Sequence, residues 1–175
     1  LAGAVAATFA LAMALIAPQI SRWVDRYGQR RVLPGVTALG VSSLLALLLC
    51  SHLGTPDWTL FVFAALSGFI PSMPAMVRAR WTELYRGSPK LHTAFSLESV
   101  LDEVSFIIGP PISVGLCVAV FPQAGPLAAA LLLAIGVTTF VLQRSTEPPV
   151  HPRSTEHAGT VLRQGAVVIL LMVLL

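Results

Sequence analysis

Three carboxylates, Glu98, Asp102 and Glu103, stand just before or at the mouth of an apolar run, and Glu98 and Asp102 are one helical turn apart. Ionisable groups beside such runs can carry protons or pair with bases. Because water reaches the edge of the run, this acidic ledge is expected to form ion pairs, with Arg26, Arg78 or Arg80 as the bases. A second charged cluster spans 21–31, where Asp25 and Gly28 lie among Arg22, Arg26, Arg30 and Arg31. Gly28 can take a positive φ at no steric cost and so turn the chain tightly. The Asp25 carboxylate can pair with a base or sit at the positive end of a helix.

Other chemistries find no constellation. His52, His92, His151 and His157 all fall between apolar runs, and neither His-Glu-x-x-His nor Cys-x-x-Cys occurs. Cys50 and Cys117 lie inside apolar runs, where cysteine behaves as a small hydrophobe. No glycine-rich phosphate loop is present, so the energy for any transport would come from an ion gradient or the substrate's own gradient. The residues imply no catalytic set, metal or cofactor.

The elements that position these groups are membrane spans. Hydrophobic residues make up 55% of the chain and charged residues 11%, against about 25% charged in soluble domains. Mean hydropathy is +0.81. The net charge of +3 is not gathered on one tract, which speaks for orientation in a bilayer and against nucleic acid. A bilayer core needs about 20 apolar residues per helix. Runs of that kind lie at 1–20, 32–50, 58–77, 104–121 and 126–142, and another begins at 166.

Basic residues alternate with the intervening segments. Arg22, Arg26, Arg30 and Arg31 occupy the first; Arg78, Arg80, Arg86 and Lys90 the third; Arg144, Arg153 and Arg163 the fifth. Segments 51–57 and 121–125 hold no Lys or Arg, so all 11 fall on one side. That side is expected to be cytoplasmic, placing 22–31, 78–93 and 143–164 there. Prolines, serines and threonines in 144–164 predict an exposed, poorly ordered linker.

Asp25-Arg26-x-Gly28-x-Arg30-Arg31 resembles the signature between the second and third spans of major facilitator superfamily transporters. Ser21 stands where that signature opens with glycine, and Gln29 where it has Arg or Lys. The resemblance implies an all-α polytopic bundle, incomplete here. Without an initial Met and with its last residues in an apolar run, the sequence is expected to be a fragment covering spans two to six and the start of the seventh. Residues 1–143 would be part of the N-terminal half, 144–164 the central linker, and 165–175 the start of the C-terminal half. The implied activity is alternating-access transport of a small molecule at the plasma membrane, with protons a candidate coupling ion. Asp25, Arg26, Gly28, Arg30 and Arg31 would form a cytoplasmic gating latch. The alternative is a non-transporting membrane scaffold or a membrane-embedded enzyme.

Within the spans, Gly68, Pro71 and Pro74 predict a bend or local opening, because each proline removes a backbone bond. The resemblance makes that span cavity-lining, so Ser67, Ser72, Met73 and Met76 become candidate substrate contacts. An arginine common in the family a few residues before Gly68 is replaced by residues such as Ala64 and Ala65. In the next run Ser105, Gly109, Ser113 and Cys117 form a small-residue stripe for close packing. Gly109-Pro110-Pro111 interrupts it and resembles part of a drug-antiporter signature. With no charge at mid-depth, the expected substrate is lipophilic or amphipathic and exported.

Overall fold

A computed structural model describes residues 1–149. The order is α1 (Ala2–Tyr27), α2 (Gln29–Leu53), α3 (Asp57–Ser67), α4 (Met73–Leu84), α5 (Lys90–Ala119), α6 (Ala124–Leu142) and a 3-10 turn at Arg144–Thr146. Among the described residues there is no strand, and the fold is an all-helical membrane bundle. α1, α2, α5 and α6 are each long and apolar enough to cross a membrane. α3 has 11 residues, or about 16 Å at 1.5 Å per residue, roughly half a bilayer core. Residues 150–175, with His151, His157, Arg153, Arg163 and the run beginning at 166, lie outside the described residues.

Helix continues where apolarity stops. The charged connection at 22–31 turns at Gly28, the single residue between α1 and α2, and is helical on both sides of it. Its φ of 86° lies in the region that favours glycine, and its N–H closes α1 on the Val24 carbonyl. The segment 78–93 is likewise mostly helix, leaving only 85–89 between α4 and α5. α5 begins at Lys90, so Glu98, Asp102 and Glu103 lie on one continuous helix with the apolar run that follows them. Hydropathy marks the bilayer's edge, whereas backbone hydrogen bonding propagates through polar residues.

The run at 58–77 is discontinuous. α3 closes in tight bonds from Gly68 N–H to Ala65 and from Phe69 N–H to Leu66, and 68–72 leave the helix. Pro71 lies in the opened stretch, while Pro74 falls in the first turn of α4, where a missing N–H costs nothing. α5 instead runs unbroken through Pro110 and Pro111, correcting the interruption expected there: proline's fixed φ is compatible with helix, and only its bonds to the preceding turn are lost.

Helices approach closely at three glycines. A Cβ on Gly40 would lie 2.5 Å from the Phe69 carbonyl oxygen, and one on Gly68 would lie 2.9 Å from Ala12 Cβ and Met13 N. At Gly125 of α6 it would collide with Ser113 of α5 and lie 3.0 Å from Cys117 Sγ. The stripe thus packs α5 on α6 through Ser113 and Cys117 only; Ser105 is exposed and Gly109 faces open space. Ile20 and Val24, Leu33 and Val36, Met76 and Val137 join α1, α2, α4 and α6 in one core. Phe106, Ile107, Val114 and Val118 on α5 stay exposed, as expected of a surface solvated by lipid.

Candidate functional site

Two arrangements stand out: a polar hub at the end of the bundle that carries the arginines, and the opened stretch between α3 and α4. The hub centres on Arg80, only 6% exposed. Two residues along a helix turn the side chain by about 200°, so Arg78 points outward while Arg80 points into the bundle. Arg80 Nε donates to Gln29 Oε1 at 2.8 Å, and Gln29 Nε2 donates to the Met76 carbonyl at 3.2 Å. Arg80 Nη1 donates to the Gln143 carbonyl at 2.9 Å and to Thr146 Oγ1 at 3.0 Å. Its guanidinium lies 3.6 Å from the centre of the Phe140 ring.

A buried guanidinium is tolerated only when its donors are satisfied. Burial pushes Arg80 below its ordinary value and the nearby Glu147 carboxylate pulls it back up. The hub therefore joins α2, α4, α6 and the chain that follows α6. Glu147 Oε1 accepts from the Arg30 N–H at 2.9 Å, filling an unsatisfied donor in the first turn of α2. The first part of the expected disordered linker is thus docked, because Arg80 and the α2 N-terminus supply donors for it.

Arg26, Arg30 and Arg31 are exposed, and Arg26 lies 5.3 Å from the Tyr27 ring centre. Asp25 is exposed and makes no ion pair among the described residues. It borders a cavity of about 330 Å3 between α1, α4 and the docked segment, shared with Ser21, Met76, Glu83, Arg86 and Pro149.

In the acidic ledge, Glu98 alone is buried and pairs with Arg78. The Glu98 Oε1 atom is buried without a hydrogen-bond partner among the described residues. Asp102 and Glu103 make no ion pair among the described residues.

The substrate-contact candidates divide. Ser67 is 0% exposed with its hydroxyl donating to the Ala64 carbonyl, whereas Met76, in the core, also borders the smaller cavity. Ser72 is exposed, and Met73 lines a cavity of about 450 Å3 with Leu132, Leu133, Gly136, Thr139 and Phe140 of α6. Sequence reasoning missed Gln29, Gln143, Thr146 and Glu147 as partners of the basic end. One signal was present: Gln29 is a neutral amide, able both to donate and to accept, standing amid arginines.

No curated protein and no solved structure matches the chain. The sequence model of the Major Facilitator Superfamily, by contrast, matches residues 1–175. With apolar helices of spanning length in contact with the bilayer, the chain is a multi-pass membrane protein and belongs to that superfamily of secondary transporters, which act on small-molecule substrates.

Proposed function

We propose that this chain takes part in alternating-access transport of a small lipophilic or amphipathic compound, outward across the plasma membrane. The observation that carries the reading is the opened backbone at 68–72. Non-helical backbone at membrane depth is tolerated where it meets protein or a water-filled cavity. Gly40, Ala12 and Met13 cover one side of this stretch, while Ser72 remains exposed and Met73 borders the larger cavity. No charged residue occurs from 58 to 77, and methionine adapts to varied apolar shapes. At the arginine-bearing end, exposed Asp25, with Arg26, Gly28, Arg30 and Arg31, acts as the gating latch. Protons are the proposed coupling ion, and Oε1 of buried Glu98, without a partner among the described residues, supports a proton-accepting role on the same side.

The test is transport by the full-length protein in proteoliposomes, against lipophilic cations, neutral amphiphiles and sugar phosphates, with and without a pH gradient. Saturable movement of a lipophilic compound is expected, driven by the gradient and reduced by Ser72→Trp or Met73→Trp. Asp25→Asn should slow it without lowering the amount inserted. Saturation by a sugar phosphate with no effect of lipophilic compounds sinks the substrate assignment.

A further inference from the structure

The chain leaving α6 does not depart from the bundle. It makes the 3-10 turn Arg144–Thr146, then crosses toward α1 and α2. Two anchors hold it: Arg80 Nη1 on the Gln143 carbonyl and Thr146 Oγ1, and Glu147 Oε1 on the Arg30 N–H. Beyond them Pro148 and Pro149 form one wall of the cavity that Asp25 borders.

The anchors differ from the frame behind them. Gln29 and Phe140 hold Arg80 from inside the bundle, the Met76 carbonyl holds Gln29, and none of those contacts involves the crossing segment. The segment's own three bonds lie nearer the surface than the buried bonds of Gln29, the Glu147 bond being exposed. Arg80 Nε would keep Gln29 if the segment lifted, so the hub can survive its departure. Two arrangements of one strap, differing by a few hydrogen bonds, make a bistable element.

From this we infer that Gln143–Pro149 is a strap that closes over the Asp25 cavity, with Arg80 as its fixed post. Access to the cavity depends on whether Thr146 and Glu147 are engaged. The inference concerns that access alone and holds whichever compound is transported.

The experiment uses the full-length protein in membrane fragments open to both faces, with its native cysteines replaced by serine. Ser21→Cys, half-buried in the cavity wall, reports access to a bulky maleimide, and Arg31→Cys, exposed and outside the cavity, is the control. Thr146→Val with Glu147→Ala removes the side-chain acceptors of both anchors while leaving the Arg80 side chain and its bond to Gln29 in place. The Ser21→Cys labelling rate should rise roughly five-fold or more, the equilibrium factor for losing one hydrogen bond, with Arg31→Cys unchanged. An unchanged Ser21→Cys rate overturns the strap, as does an equal rise at both sites, which marks general loosening. Spin labels at Ser145 and Thr82 supply a second measurement: a longer distance component should appear on release, and its absence also overturns the inference.

Discussion

At position 29 a single amide decides how a buried cation is kept. Gln29 offers its oxygen to Arg80 and its nitrogen to Met76, so both ends of the carboxamide are used. An arginine there would bring a second guanidinium against the first and remove the acceptor of Arg80 Nε. Gln29→Arg should therefore lower the thermal midpoint in detergent, by roughly 2–4 kcal/mol of stability, the range expected for a buried unpaired charge. Adding Arg80→Gln exchanges the two groups and should recover much of the loss. If the double variant is no better than Gln29→Arg, the two residues do not share one site. The Arg78 pair is different, since Arg78 is 49% exposed and Glu98 only 10%. Its guanidinium can return to water, whereas the carboxylate cannot.

At the scale of elements, α3 and α4 depend on glycine as much as on proline. Gly40 and Gly68 let α2 and α1 touch the opened backbone, whereas Gly35, also on α2, faces open space. Gly35→Ala should gain roughly 0.5–1 kcal/mol from helix propensity. Gly40→Ala should lose about 1–3 kcal/mol, because its Cβ meets a carbonyl that cannot move without shifting the break. Thermal unfolding of both variants in one detergent checks this, and equal midpoints would mean the contact is slack. The break was legible from Gly68, Pro71 and Pro74, and so were the long apolar helices. Helix ends were not legible: nothing in the polar stretch 90–103 distinguishes a loop from a helix extending beyond the bilayer. Nor was the inward turn of Ser67 and Met76, because which face of a short helix is buried depends on neighbours distant in sequence.

For the whole molecule, the open question is which way it sits in the membrane. Every Lys and Arg in the described residues lies at one end of the bundle's connections: by Gly28, in and beside α4, at the start of α5 and after α6. Positive charge is retained on the cytoplasmic side during insertion, so that end should face the cytoplasm. Reporter cysteines at the two glycines Gly54 and Gly87 would be strained, with φ values of 64° and 74°. Ser51→Cys and Thr93→Cys avoid this, being exposed helical positions at opposite ends. In a background lacking Cys50 and Cys117, an impermeant thiol reagent on intact cells should label Ser51→Cys and spare Thr93→Cys until the membrane is permeabilised. The same orientation would put Asp25, the strap and the Arg80 hub together on the cytoplasmic face, where a latch must work if the cavity is to open outward. Labelling of Thr93→Cys on intact cells would reverse the orientation and leave the latch reading without its side of the membrane.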